Sequence, residues 1–374
     1  MKVLQFTNTL HQGGAEAHIL LLARGLKARG VSCEVAFLRS KVTGGSIDLR
    51  QRFEDAGIRT HYLACEHSLD PRAAIRLNRL LRGRPWDVVH SHLPRCDAAA
   101  ALCKLALPRQ AWVSTLHHPY NSADNAYSAG RWTRVAAPMW RLADGVIAVS
   151  ETVRQWAIET LGLPAAQVRA IAHGIDTDAV GSRASEPPGA ATMGHRIGSI
   201  GRYEWRKGHD TLIRAMPAIL NAFPDAELRI AGHDPWNHGQ TLRAIINDLG
   251  LERHVHLAGF VDGPSFLADT DVFAFASRSE GFGIVLLEAM AAAKPSVVSN
   301  IAPLNTIISP GTSGLVAECD DVEGFAGAIV SLFRDPGHAR KIGDAARRRV
   351  EQEYSAARMV DNTLRYYDEV LRAG

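Results

Sequence analysis

Long apolar runs are missing from this chain of 374 residues. The best candidate, GIVLLEAMAAA at residues 283–293, is short and carries Glu288 in its middle. A membrane-spanning helix needs about 18 or more apolar residues. The opening MKVLQFTNTL is broken by Gln5, Thr7, Asn8 and Thr9, so it does not read as a secretory signal. Cysteine is sparse: there are 5, at positions 33, 65, 96, 103 and 319, with no CxxC pair. An odd, scattered set excludes a disulfide framework and predicts reduced, buried thiols in a cytoplasmic protein. Gly 32 and Pro 17 are too few for a collagen-like or proline-rich chain. Net charge is only +3 and 46% of residues are apolar, which excludes a disordered scaffold. At about 150 residues per domain, the length predicts two or three domains.

What is present alternates. Residues 3–6, 33–38, 87–91, 112–116, 145–149 and 168–172 read as strands, with helical periods at 15–28, 72–81 and 151–161. Near residue 178 the pattern stops; DAVGSRASEPPGAATMGH is rich in Gly, Pro, Ala and Ser and reads as a linker. Strands resume at 197–200, 227–231, 255–258, 272–276 and 296–299, with helices at 208–222, 240–249 and 284–293. The last 50 residues read as helical. The expected fold class is therefore α/β: two doubly wound, Rossmann-like parallel-sheet domains facing a cleft. The expected boundaries are 1–178 plus a returning helix 356–374, a linker at 179–194, and 195–355. Charge divides unevenly, with 22 Lys+Arg against 15 Asp+Glu in residues 1–180 and 20 against 24 in the remainder. A basic first half suggests an anionic partner or surface on that side.

The most informative stretch is SRSEGFGIVLLEAMAAA at 277–293. A strand leads through Glu280-Gly281-Phe282-Gly283 into a helix. Glycine permits close backbone approach, and a helix N-terminus offers unpaired N–H groups and a positive dipole end to a phosphate. Glu280 precedes that helix and Glu288 lies about 6 Å along it. One phosphate turn flanked by two acids suits a nucleotide diphosphate sugar. A second stretch, Gly201-Arg202 to Lys207-Gly208, follows the first strand of the second domain and places two cations on the same sheet edge. They can neutralise a departing diphosphate.

These motifs resemble the retaining glycosyltransferases of family 4, with the GT-B fold; Glu280 and Glu288 match that family's E-x7-E pair. Gly13-Gly14-Ala15-Glu16, Asp87-Val88-Val89-His90-Ser91-His92, Thr115-Leu116-His117, Ala148-Val149-Ser150-Glu151, His173-Gly174-Ile175-Asp176, Ala258-Gly259-Phe260 and Tyr366-Tyr367 follow in order, over nearly the whole chain. The resemblance implies that Arg202 and Lys207 hold the diphosphate, Glu288 the ribose and Glu280 a hydroxyl of the donor sugar. It implies that Gly283, Ile284 and Val285 cradle phosphate, that Gly13 and Gly14 form the glycine loop, that Phe260, Val261 and Phe282 line the donor site, and that His117 is the active-site histidine. It implies no metal and no cofactor beyond the nucleotide sugar. The partners would be that donor and a saccharide or lipid-linked acceptor, with no nucleic acid, in cell-envelope polysaccharide, lipopolysaccharide or glycolipid synthesis. Many relatives have Asn-Gly at His173-Gly174, Glu at Thr306 and Ala-Gly at Ala292-Ala293; these departures bear on which sugar is carried.

Competing readings are weaker. His90, His92, His117 and His118 invite a metal, but no acid lies within either pair. A nicotinamide dehydrogenase wants G-x-G-x-x-G after its first strand, where only Gly13-Gly14 stands. A nucleotide-sugar epimerase or a non-catalytic nucleotide-sugar-binding protein on the same fold are the alternatives. Finally, Arg72, Arg76, Arg79, Arg82 and Arg84 recur at helical spacing beside Ile75, Leu77, Leu80 and Leu81. That pattern predicts a cationic helix face for peripheral contact with an anionic, cytoplasmic membrane surface.

Overall fold

The central strands of this protein are buried along nearly their whole length, and Val3, Val35, Val88, Val113 and Ile147 enter one core with Ile19, Leu22, Leu26 and Phe37. A computed structural model describes residues 1–11, 13–40, 48–66, 70–119, 137–184 and 194–373. The chain divides into two compact units, residues 1–174 with 356–374, and residues 175–355.

The first unit holds β1 (Lys2–Thr7), α1 (Gly14–Ala28), β2 (Ser32–Phe37), α2 (Arg50–Asp55), β3 (Thr60–Tyr62), α3 (Arg72–Arg82), β4 (Val88–His92), α4 (Pro94–Ala106), β5 (Ala111–Leu116), β6 (Gly145–Ala148), α5 (Glu151–Glu159) and β7 (Val168–Ala170). Its sheet is parallel, in the order β3-β2-β1-β4-β5-β6-β7. Val3 lies opposite Cys33 on one side and Val88 on the other.

The second unit holds α6 (Thr177–Ala184), β8 (Arg196–Ile200), α7 (His209–Ala222), β9 (Glu227–Ala231), α8 (Gly239–Asp248), β10 (Val255–Gly259), α9 (Gly263–Ala268), β11 (Val272–Phe275), α10 (Ile284–Ala291), β12 (Ser296–Ser299), α11 (Leu304–Ile307), β13 (Leu315–Ala317), α12 (Val322–Arg334) and α13 (Pro336–Glu353). Its parallel sheet runs β10-β9-β8-β11-β12-β13, and Ile197, Leu228, Val272 and Val297 pack there with Leu212, Met216 and Phe325.

The closing helix α14 (Ala356–Ala373) belongs to the first unit. The Tyr366 hydroxyl accepts from the Val146 amide at 3.0 Å and donates to the Gln167 carbonyl at 2.6 Å. A Cβ at Gly145 would fall 2.8 Å from that hydroxyl, so only glycine lets the helix sit this close.

Three expectations need correction. Residues 179–184, the first part of the predicted linker, belong to the helix Thr177–Ala184; the Asp176 carboxylate accepts from the Ala179 amide at 3.0 Å and caps the turn. Residues 185–193 of that linker lie outside the described residues. Cys319 is exposed, whereas the other four cysteines are buried. The arginines in and just after α3 do not form one free cationic face. Arg76 is turned inward to the Leu63 and Ala64 carbonyls at 2.6 Å, Arg72 pairs with Asp70 at 2.8 Å, and Arg84 pairs with Glu34 at 2.9 Å. Leu77 and Leu81 are buried, but Ile75 is 59% exposed. Among the described residues no helix is long and apolar enough to cross a membrane.

Candidate active site

In an open parallel sheet, ligands bind beyond the carboxyl ends of the strands where the strand order reverses. In the second unit that point lies between β8 and β11. The loop after β8 carries Arg202 and Lys207; the loop after β11 carries Glu280. The Arg278 amide donates to the Arg206 carbonyl at 2.7 Å and ties the two loops together. A Cβ at Gly208, where φ is +61°, would meet the Ala276 carbonyl oxygen at 1.9 Å, so the contact requires glycine.

The two motifs meet as an ion pair. Lys207 Nζ lies 2.5 Å from Glu280 Oε1, and the Ser277 hydroxyl donates to the same oxygen at 2.8 Å. Side-chain exposure is only 14% for Lys207 and 9% for Glu280. Burial raises the affinity of Glu280 for a proton, but Lys207 and Ser277 outweigh it and hold the carboxyl below its ordinary range. Lys207 Nζ also sits 5.4 Å from the centre of the Phe275 ring. Arg202 stands apart from this pair. Its half-exposed guanidinium lies 3.3 Å from Glu204, whose carboxylate also holds the buried Arg206 at 2.8 Å, and 5.2 Å over the Trp236 ring.

Gly283, at φ +104°, stands immediately before α10, and Ile284 and Val285 head the helix. The buried Phe282 ring meets Tyr354 at 5.9 Å. Glu288 is half-buried on the second turn. Burial, with the neighbouring Asp262 carboxylate, pushes its carboxyl up to about 7. Phe260 stacks on His233 at 4.4 Å and Val261 is half-buried beside it in sequence.

Gly13, Gly14 and His117 belong to the first unit. Gly13 precedes α1 in extended conformation and Gly14 opens the helix. His117 follows β5 and lies in a group of imidazoles that includes His18, His92 and His173. Its ring centre is 5.3 Å from that of His92, 5.5 Å from that of His173 and 5.6 Å from that of His18. Burial lowers the His117 proton affinity to about 4 and that of His90 to about 3; His18, His92 and His173 are also held well below the ordinary value. His118 turns instead to the Pro119 carbonyl at 2.5 Å. Among the described residues no three histidine, cysteine or acidic side chains are arranged to hold a metal ion.

Sequence reasoning missed His18, Gln5, Ser277 and Trp236 at these places. Gln5, a polar residue in an apolar strand, and Ser277, three residues before Glu280, were the available signals; His18 and Trp236 are brought there by folding alone.

The family described as Glycosyltransferase Family 4 matches residues 12–179, and the family described as Glycosyl transferases group 1 matches residues 183–349. A glycogen synthase of Mycobacterium tuberculosis is 30% identical over 321 residues, covering 82% of this chain and 74% of that protein. The chain belongs to glycosyltransferase family 4. This glycosyltransferase is also 28% identical over 371 residues to the phosphatidyl-myo-inositol mannosyltransferase of Mycobacterium leprae, covering 97% of this chain and 94% of that protein. Its fold is GT-B. The Anabaena protein HepE, crystallised with UDP, superposes with a TM-score of 0.82 at 21% identity, covering 99% of this chain and 100% of that one.

Proposed function

We propose that this glycosyltransferase moves a sugar from a nucleotide diphosphate sugar to an acceptor hydroxyl with retention of configuration, and that it needs no metal and no further cofactor. The observation that carries the reading is the Lys207–Glu280 pair at the head of α10, where two motifs 73 residues apart in sequence meet. Lys207 and Arg202 supply positive charge for a departing diphosphate, and the amides at Gly283, Ile284 and Val285 supply N–H groups. Glu280 then takes a hydroxyl of the sugar and Glu288 the ribose, and His117 acts as the active-site histidine that contacts the sugar. The acceptor is a saccharide or lipid-linked hydroxyl of the cell envelope, met at the cytoplasmic face.

The test is turnover of UDP-, GDP- and ADP-sugars with a lipid-linked or saccharide acceptor. Transfer is expected to continue in EDTA and to give a product of the donor's anomeric configuration. Loss on chelation restored by Mg²⁺ or Mn²⁺, or an inverted product, contradicts the proposal. Donor conversion without any acceptor points to an epimerase instead.

A lipid-linked acceptor requires access to a membrane surface. The name of the Mycobacterium leprae relative carries a phosphatidyl-inositol acceptor, and the surface of the first unit supports the same class here. Helices α3 and α4 pack together, the Cys103 thiol lying 3.2 Å from the Ala74 carbonyl. They expose Ile75 (59%), Leu102 (56%) and Leu105 (64%), with Arg79, Arg82 and Arg109 also exposed. Each surface cation near anionic lipid is worth about 1 kcal/mol. Vesicles containing phosphatidylserine are expected to co-sediment the protein at low salt and to lose it at high salt. The triple change Arg79→Gln, Arg82→Gln, Arg109→Gln should weaken binding, whereas Arg76→Gln should chiefly destabilise the fold. Binding indifferent to the triple change would refute this face.

A further inference from the structure

Behind His117 runs one hydrogen-bonded chain drawn from β1, β4, β5 and α14. Thr115 Oγ1 is 2.6 Å from His90 Nε2, and His90 Nδ1 is 2.6 Å from the Tyr367 hydroxyl. The Gln5 amide spans the middle: its Nε2 donates to the Tyr367 hydroxyl at 3.2 Å, and its Oε1 lies 2.7 Å from His92 Nε2. His92 Nδ1 is 3.1 Å from His117 Nε2. Thr115, His90, Tyr367, Gln5 and His92 are all essentially inaccessible to water. Burial and the neighbouring imidazoles keep His90 and His92 neutral.

A neutral imidazole has one N–H and one lone pair, so the direction of donation at one residue sets it at the next. The Gln5 carbonyl oxygen can only accept; His92 Nε2 therefore carries its proton and Nδ1 its lone pair. That lone pair accepts from His117 Nε2–H. On the other side, Tyr367 accepts from Gln5 and donates to His90 Nδ1, and His90 Nε2–H donates to Thr115. Turning the amide over would reverse every step and still leave each group a partner. Distance favours the first direction. An N–H···O bond spans about 2.7–3.2 Å and an O–H···O bond about 2.5–3.0 Å. The contacts of 2.7 and 3.2 Å both suit the first direction. In the reversed chain the longer contact would be a hydroxyl donating to a carbonyl, beyond that range.

We propose that Gln5, acting through His92, is a positioning residue that holds His117 in its Nε2–H tautomer and so presents His117 Nδ1 as a hydrogen-bond acceptor for a hydroxyl of the bound sugar. The sugar contact rests on the proposed function above; the tautomer does not. A donor whose sugar has a hydroxyl to offer Nδ1 is thereby selected over one lacking it, because an unpaired polar group would be left behind.

The experiment reads the imidazole ¹⁵N signals of the full-length, ligand-free protein, with His117 assigned by its loss in His117→Asn. The expected result is a pyridine-type Nδ1 and a protonated Nε2 for His117. Gln5→Glu, which offers two acceptors, should keep that tautomer; Gln5→Met should let the Nδ1–H form appear. With whichever of the UDP-, GDP- or ADP-sugars is turned over, Gln5→Met should lower kcat/KM about 5- to 100-fold. A wild-type His117 protonated on Nδ1 overturns the proposal with no variant needed, and so does a His117 tautomer unmoved by Gln5→Met. The expected tautomers together with no turnover of any nucleotide sugar would leave the relay standing and remove the sugar contact.

Discussion

Lys207→Ala is expected to lower kcat by roughly 10²–10³, the cost of removing one preorganised charge from a site of developing negative charge. The same change should lower the melting temperature, because Glu280 would keep its buried place without its counter-ion. Removing one partner of a buried pair costs about 3–5 kcal/mol. Arg202→Ala should separate the two effects. Its guanidinium is half-exposed, and its partner Glu204 keeps Arg206 at 2.8 Å. Stability should therefore change by about 0.5 kcal/mol or less, while kcat falls on the scale of the lysine variant. Adding Glu280→Gln to Lys207→Ala should restore much of the melting temperature and none of the rate. Steady-state kinetics and thermal unfolding on the wild type and these three variants decide this. Rates for both single variants within threefold of wild type would end the leaving-group role.

The imidazole group makes the first unit acid-labile. His117 and His90 bind protons in the fold only near pH 4 and 3, against 6.5 when unfolded, and His18, His92 and His173 are displaced in the same direction. The unfolded chain thus binds more protons at mildly acid pH, so stability falls as pH falls. The contribution is complete above pH 6.5 and is lost from 6.5 down through about 4 for His117 and 3 for His90. Each group withdraws about 1.4 kcal/mol per pH unit across its window. Asp97, buried against Ser91, Ser114 and Trp140, opposes this: burial raises its carboxyl to about 6, so it favours the fold as pH drops toward 3.8. Several imidazoles outweigh one carboxyl. Amide-exchange protection in β4 and β5, taken against the intrinsic exchange rate at each pH, should fall steeply between pH 6.5 and 5, above the range where ordinary carboxylates titrate. Protection unchanged across that interval would contradict the displacement of these histidines.

Much of the fold was legible because parallel strands covered on both faces read as short apolar runs. The expected strands at 227–231 and 296–299 coincide with β9 and β12, and the others differ at their ends by one or two residues. The strands that escaped, β3 and β13, are three residues long and lie at sheet edges, where half the covering contacts are missing and the apolar run is too short to notice. Helix α4 escaped for another reason: its alanines and cysteines give little contrast between faces. The candidate site was legible as residue types, not as partnerships. Lys207 and Glu280 each announce phosphate or sugar chemistry locally, yet their pairing is a product of the strand order. His90 and Tyr367 are 277 residues apart, a distance no local pattern spans.

The return of α14 to the first unit governs the order of biogenesis. A nascent chain emerges from its amino end, and at about 5–20 residues per second the ribosome needs roughly 10–40 s to pass from residue 174 to residue 356. Throughout that interval the Val146 amide and the Gln167 carbonyl wait for the Tyr366 hydroxyl, and Gln5 and His90 wait for Tyr367. Residues 175–355, encoded in the middle, are whole first; Ile175 already pairs with Ser355 across the two ends of that stretch. The amino-terminal sheet is therefore finished last. A message truncated just after codon 355 yields a folded second half attached to an unsealed first one, a product marked for chaperone capture or proteolysis.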